Sequence, residues 1–477
     1  ITLTTNHMIH QCNIHTIPLE LGIFNMAVID VIRTLLCHQD ILSLLSVNRL
    51  ARKLFVHYRN NVFYINVDLY IQNGIMVPPQ LLKIKTSNIK NIPHGARRVI
   101  LSQQYIDGNT KGLIPNSVKY LEFSHYFNQA IGDILPASLE YLRFGDQFDK
   151  RIDTLPTSLV SLSLGDEFDQ PIDALPGTLA NLWLGDKFNQ SVDKLPPRLT
   201  RLSFGYNFNK PVDMLPEGLI DLSFGWHFNQ LVDKLPSALN SLSFEDCFEQ
   251  SVDSLPESLE YLSFGSRFNK PIDKLPRGLK YLVLGDGFVQ YVNRLPQVLT
   301  HLLFGDLFNQ SVDLLPRSLQ VLRFGSLFNQ PIDKLPPRLT KLTFGNYFNK
   351  PIDTLPDTLI HLSLYSNLFC QQINRLPASL EHLELSGNGS RNYLAANWPP
   401  MLTSLTFGYH YTSPIDDLPD TIKHLELGFK FNHPIRKLPA SLQRLKIHVK
   451  YRYILRTTPH MYVVYDHSMP DRFPGFV

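Results

Sequence analysis

One acidic residue recurs at a fixed interval of 20 along the chain: Asp133, Asp153, Asp173, Asp193, Asp213, Asp233, Asp253, Asp273, Asp313, Asp333 and Asp353, with Asn293 in the same column. A row of carboxylates on successive coils, about 5 Å apart, could hold calcium as in some parallel β-rolls. Three features argue for a turn former instead. Each Asp precedes an x-Leu-Pro step, where its carboxylate can accept a backbone N–H in an Asx turn. Asn293 replaces it without disturbing the motif, and calcium loops carry denser glycine and acid. The expectation is a structural column and no metal site.

The remaining reactive side chains make no reaction centre. His301 and His361 fall three units apart, about 15 Å, too far to share one metal. Ser203, Ser223, Ser243 and Ser263 form a small-residue row rather than a set of nucleophiles, and neither HExxH nor a phosphate loop occurs. The cysteines are Cys12, Cys37, Cys247 and Cys370, without a CxxC, which fits a reducing, cytoplasmic setting rather than a disulfide framework or zinc site. No catalytic residue, cofactor or metal ligand is expected. A net charge of +3 over 477 residues is too weak to argue for nucleic acid or an anionic membrane. No apolar run reaches the 18 residues of a membrane span, and no secretory signal pattern opens the chain.

What must position these columns is a repeat. A Leu-Pro step places prolines at every twentieth residue from Pro136 to Pro356, then at Pro377, Pro399, Pro419 and Pro439, with weaker units upstream near Pro115, Pro93 and Pro78. Fixed self-similarity at this period is the mark of a solenoid. In the unit Leu195 to Met214, the apolar positions are Leu195, Leu199, Leu202, Phe204, Phe208 and Val212. Leu202 and Phe204 have strand spacing, Gly205 permits a turn after them, and proline interrupts any helical period. The predicted fold is a leucine-rich-repeat-like solenoid with one short strand per unit and non-helical outer segments. Burying these apolar side chains contributes roughly 1.5–3 kcal/mol each, against a backbone ordering cost of roughly 1–2 kcal/mol per residue. A lone unit is therefore unstable and only a stack holds.

The string Phe328 to Pro356, FNQPIDKLPPRLTKLTFGNYFNKPIDTLP, resembles the FNIP repeat family of large amoeba-infecting DNA viruses and social amoebae, and the likeness runs over about residues 110–445. The Leu-Pro step and LxxLxL core are also similar to bacterial LPX-type leucine-rich repeats. Ordinary leucine-rich repeats place an asparagine three residues after the last strand apolar residue. Here Asn209 stands five after Phe204, so the usual asparagine ladder cannot be transferred.

Residues 24–56 change character, to FNMAVIDVIRTLLCHQDILSLLSVNRLARKLFV. Val28, Ile29, Ile32, Leu35 and Leu36 share one helical face, Asn25 can cap that helix, and Asp40 a second one carrying Ile41, Leu42, Leu44 and Leu45. With a third helix from about Asn48 to Val56, the segment resembles an F-box, the three-helix module that docks a Skp-type adaptor. The resemblance implies adaptor contacts at Ile32, Leu36, Asp40, Ile41, Leu42, Leu45 and Val47. Phe24-Asn25 stands where the family has Leu-Pro, and Leu50 or Ala51 where it has tryptophan. A second reading makes the helices a cap on the solenoid's open end.

What varies between units suggests a partner surface. Tyr141, Trp183, Arg201, Asp221, Tyr261 and Tyr281 occupy outward strand positions, and Tyr206, Trp226 and His227 follow the glycine. Aromatic and arginine side chains on a rigid face are common interface anchors, so these nine residues are the expected target site on a concave face. The organisation reads as an N-terminal leader (1–23), an F-box-like module (24–58), degenerate first repeats (59–110), the solenoid (111–446) and a C-terminal cap (447–477) closed by a strand pair, with residues 387–398 looped out. The resemblance implies a substrate adaptor joining a Skp–cullin ubiquitin ligase to a target protein in a host cytoplasm. The alternative is a stand-alone repeat scaffold with no ligase link.

Overall fold

The computed structural model describes residues 65–72, 83–102, 112–366, 368–385, 398–455 and 461–466. The expected leader, the F-box-like module and most of the looped-out segment lie outside the described residues. Within them the chain forms one sheet of 21 strands, every one parallel to the next. A single helix, Val67–Gln72, follows the first strand, Ile65–Asn66, and one 3₁₀ turn spans Ile89–Asn91. From Gly112 to Leu385 the described residues contain strands and turns but no helix.

The strand of the unit analysed above is Arg201–Ser203, and its neighbours are Asn181–Trp183 and Asp221–Ser223. Pairing is in register with the period of the sequence, so that Leu182, Leu202, Leu222 and Leu242 oppose one another in a row. Leu199, Leu202, Phe204, Phe208 and Val212 are buried, and Leu195 is half-buried against them. The Leu-Pro step is a turn in which the Pro196 carbonyl accepts the Leu199 N–H at 3.1 Å. Proline suits that corner because its φ is already fixed and it donates nothing.

The interior is a stack of rings. Phe188, Phe208, Phe228 and Phe248 lie nearly parallel, with centroids 6.0, 6.1 and 6.2 Å apart. Within a unit Phe204 stacks on Phe208 at 3.7 Å. Each ring is therefore covered by the unit before it, the unit after it and its own strand.

The asparagine ladder expected to be untransferable is present, moved to the Phe-Asn column. Asn189 Oδ1 accepts the Asn209 N–H at 3.0 Å, Asn209 Oδ1 the Asn229 N–H at 3.0 Å, and Asn229 Oδ1 the Glu249 N–H at 2.9 Å. Asp149 and Asp169 serve equally, accepting from Asp169 N–H at 3.1 Å and Asn189 N–H at 2.9 Å. The position needs an acceptor oxygen, which either side chain offers. Val289 has none and leaves a gap in the ladder; Gln310 Nε2 donates to the Val289 carbonyl at 3.0 Å, just as Gln250 and Gln330 donate to the carbonyls of Asn229 and Asn309 at 3.1 Å.

Two local readings are refined. The glycine after the strand is followed by a turn, as expected, but left-handed backbone is not what selects it, since among the described residues the positive-φ glycines are Gly112 and Gly132. A Cβ on Gly225 would sit 1.9 Å from the Gly205 carbonyl oxygen, and one on Gly285 2.0 Å from that of Gly265. Close approach of successive coils is the reason for this column; Glu245 also occupies it, and nothing in the packing explains that residue. The Asp column has partners both within its own turn, where Arg151 Nε donates to Asp153 at 2.9 Å and Ser191 Oγ to Asp193 at 2.8 Å, and along the solenoid. Asp173, Asp253 and Asp313 face the ammonium groups of Lys194, Lys274 and Lys334 at 3.2, 2.9 and 3.5 Å. Asp353 accepts the backbone N–H of Asn374 at 2.9 Å and of Arg375 at 3.2 Å.

The ends share the same sheet. Lys83–Thr86 and Arg98–Leu101 pair in the degenerate N-terminal region. His382–Leu385 pairs directly with Ser404–Phe407, so the segment between them leaves the ladder unbroken. The closing strand pair in the tail is parallel: Arg444–His448 continues the ladder and Tyr462–Asp466 lies beside it.

Truncating Phe228 to Ala removes a ring stacked on both sides, and should cost about 3–5 kcal/mol, read as a lower urea midpoint by circular dichroism. Val289→Asn offers the Asn309 N–H an acceptor at the gap in the ladder. It should raise stability by roughly 0.5–1.5 kcal/mol, and a midpoint at or below wild type would refute the ladder's contribution.

Candidate protein-interaction surface

Strand alternation sets which side chains leave the core. In Arg201–Ser203 the middle residue points inward, so the first and third stand on the solvent face. Repeated in register, this produces two columns of side chains across the sheet. The first-position column holds Tyr141, Arg201, Asp221, Tyr261, Tyr281 and His301; the third-position column holds Trp183 and the serine row. Tyr141, Trp183 and Tyr281 are exposed at 44%, 42% and 42%.

Neighbours in the first column touch. Arg201 Nε lies 2.9 Å from Asp221 Oδ2, with both side chains well exposed. Such a pair contributes little to stability in water but orients the guanidinium. Tyr261 and Tyr281 are tilted at 6.3 Å, and Tyr281 stacks on His301 at 4.0 Å. In the serine row Ser223 Oγ donates to Ser203 Oγ at 2.8 Å, so these hydroxyls are occupied with one another.

Tyr206, Trp226 and His227 are not on this face. The strand ends at Ser203, and these residues sit in the turn beyond the glycine, on the rim of the sheet. There Tyr206 stacks on Trp226 at 5.7 Å and meets the His227 ring edge-on at 4.8 Å, while Cys247 Sγ lies 3.9 Å from His227 Nδ1. The nine residues expected to make one site thus fall into two groups, six on the sheet face and three on the rim. The adaptor-contact residues Ile32, Leu36, Asp40, Ile41, Leu42, Leu45 and Val47 lie outside the described residues.

Sequence reasoning missed a histidine pair. His361 and His382 are register partners whose rings stack at 4.3 Å. The unit between them has 21 residues instead of 20, which hid their alignment from a strict period. Lys341 precedes them in the column. Burial, then the His382 ring and the Lys341 ammonium, hold the His361 imidazole below its ordinary pKa, and Glu381 opposes them. In the same two units the Tyr365 hydroxyl donates to Glu384 Oε2 at 2.8 Å, and burial together with that carboxylate pushes the phenol up to about 12. Among the described residues no three His, Cys, Asp or Glu side chains converge on a point that could hold a metal.

The FNIP repeat profile matches residues 109–147, 148–187, 188–225, 248–287, 291–327, 328–367 and 396–430, more than half of the chain. The chain belongs to the FNIP repeat family. CroV588, described as a circular leucine-rich-repeat protein, is a solved structure 31% identical to this FNIP chain with a TM-score of 0.67; the match covers 80% of this chain and 68% of that one. YopM from Yersinia enterocolitica is 19% identical at a TM-score of 0.46, over 80% of this chain and 88% of its own. A leucine-rich-repeat protein of Leptospira interrogans is 17% identical at 0.45, over 67% and 93%. No curated protein matches the chain. The leucine-rich-repeat-like fold is thus shown by the FNIP profile and CroV588, and with it the kind of solenoid typical of protein-interaction scaffolds. No described helix is long and apolar enough to cross a membrane.

His361 makes a pH prediction. A histidine whose pKa is lowered by folding binds fewer protons folded than unfolded between the two values. Its folded form is therefore fully favoured above the ordinary value near 6.5, and loses stability as the pH falls through that interval. Urea midpoints of wild type should drop more between pH 7.5 and pH 5 than those of the His361→Gln variant. Equal drops would remove the assignment.

Proposed function

We propose that this chain is a substrate-recognition adaptor, doing no chemistry itself. In this reading residues 24–58 recruit a Skp-type adaptor and its cullin ligase, and the repeats hold a target protein for ubiquitination. The observation that carries the scaffold half is the exposed row of aromatic and charged side chains on the sheet face. Trp183, the Arg201–Asp221 pair and the Tyr261–Tyr281–His301 run stand on a lattice fixed by strand pairing. Aromatic and arginine side chains already held in place lose little entropy when a partner covers them, which favours such rows as anchors.

The ligase half rests on the likeness of Ile32 through Arg52 to an F-box and on the position of that segment before FNIP repeats. The domain boundaries given above, an amoebal host cytoplasm as the working compartment, and a viral origin belong to the same proposal. The second reading, a stand-alone scaffold whose first helices cap the array, is favoured by Phe24-Asn25 and Leu50-Ala51 in place of the family's Leu-Pro and tryptophan.

Co-purification with an amoebal Skp-type adaptor decides between them. Wild type should retain the adaptor, and Ile41→Glu with Leu45→Glu should lose it while circular dichroism of the repeats is unchanged. Failure of folded wild type to retain the adaptor leaves the stand-alone scaffold. Within a captured target complex, Trp183→Ala and Tyr281→Ala should each weaken binding by about tenfold or more, the range of anchor residues.

A further inference from the structure

Immediately before each buried ring of the Phe column stands a residue that the repeat leaves outside. In most units it is polar or small: Asn207, His227, Cys247, Arg267 and Gly287. In four consecutive units it is large and apolar. Leu307, Leu327, Tyr347 and Leu368 precede Phe308, Phe328, Phe348 and Phe369, and are exposed at 48%, 39%, 50% and 54%. The first three line up on the rim of the sheet because the turns carrying them are bonded coil to coil; the turn of Leu368 carries the extra residue of a 21-residue step, and its N–H donates to Ser366 Oγ at 3.3 Å. Leu307 N–H donates to the Asp286 carbonyl at 2.9 Å, Leu327 N–H to that of Asp306 at 2.8 Å, and Tyr347 N–H to that of Ser326 at 2.9 Å.

We infer that this stripe is a docking site for an amphipathic helix of a partner protein, one with basic residues beside its apolar seam. The spacing favours a helix. Coils hydrogen-bonded through their backbones lie about 4.8 Å apart, so three steps span roughly 14 Å. Three helical turns span roughly 16 Å, and same-face side chains of a strand over three steps roughly 20 Å. Strand addition is further disfavoured because the N–H groups of Leu307, Leu327 and Tyr347 already donate to the preceding coil, and that of Leu368 to Ser366 Oγ. Width points the same way. The stripe is one side chain broad, bordered by Asp286, Asp306, Ser326 and Asn346 on one side and by the asparagine ladder, Asn309 Oδ1 to Asn329 N–H at 2.9 Å, on the other. A narrow apolar line between polar columns accepts the seam of an amphipathic helix. A second copy is the weaker occupant, since four half-exposed side chains offer only a few hundred Å², below the roughly 800 Å² per partner of a stable protein interface.

Charge defines the flank. Asp286 and Asp306 border the first half of the stripe, and Asp306 Oδ1 is fixed by the Ser326 N–H at 3.0 Å and Ser326 Oγ at 2.8 Å. Lysine or arginine at one end of the docked helix would meet these carboxylates. This site is separate from the sheet face and does not depend on the ligase reading.

The test uses the full chain and a fluorescent synthetic helix of 18 residues, with leucines at i, i+4, i+7 and i+11 and lysines beside the first two. A scrambled peptide of identical composition has its leucines spread around the helix. Anisotropy titration should show saturable binding of the first peptide and at least about tenfold weaker binding of the second. Leu307→Lys with Leu327→Lys should weaken binding by at least about tenfold, whereas Leu231→Lys, at a 59%-exposed position in another column, should leave it unchanged. Circular dichroism confirms that each variant keeps the fold. Equal binding of both peptides, or of the double variant and wild type, overturns the proposal, as does no binding at all. Sedimentation velocity covers the remaining occupant: concentration-dependent association of wild type that the double variant abolishes would make the stripe an interface between copies of this chain, and would also overturn it.

Discussion

A coil of 20 residues with a proline corner has no second layer of its own to cover its interior, so everything in this molecule depends on the contact between one coil and the next. That contact is the same operation repeated: a parallel three-residue ladder on one side, a ring stacked on a ring in the middle, and an asparagine oxygen accepting an N–H on the other side. Because all three must be satisfied by a single translation, the period is nearly invariant. Where it changes, as in the 21-residue step from His361 to His382, the extra residue falls in a turn and the strands stay in register.

The same operation creates the surfaces. A side chain that leaves the core in one unit leaves it in every unit at the same place, so exposed residues are collected into straight columns. Neighbours in a column lie close enough to interact, which is why Arg201 finds Asp221, Tyr281 finds His301, and Asp166 is held above its usual carboxylate range by burial and by repulsion from Asp186, Asp146 and Glu167. Specificity in such a protein is written in the few column positions that packing leaves free. Titration behaviour follows from the same crowding, since like groups are brought side by side wherever successive units carry them.

Much of this was legible in one dimension. The strand, its inward residues and the absence of helices from the regular array follow from Leu202 and Phe204 two apart, with proline at every twentieth position, because alternation and φ restriction are local properties. The ladder column was not. Counting from the strand, Asn209 stands in an unfamiliar place, and only the path of the turn brings its oxygen opposite the next unit's N–H. The glycine column was found for the wrong reason, since the collision that excludes a Cβ comes from a coil 20 residues away. Part of the Asp column behaved likewise: Asp253 and Asp353 satisfy partners in the following unit, which a reading of one unit's turn does not contain.

The sequence by itself determined the period, the strand, the core and the family, because each is set by residue type at fixed spacing. Tertiary structure decided which exposed residues share a surface. Tyr206 and Trp226 are each three positions past the last strand residue of their own units, yet stand on the rim rather than the face, because the backbone stops alternating after Phe204 and Phe224. Leu307, Leu327, Tyr347 and Leu368, each unremarkable in its own unit, become a continuous stripe only when coils are stacked in register. Direction at a turn is a property of the folded path, and adjacency between units is a property of the stack; neither is carried by a residue's own neighbours in sequence.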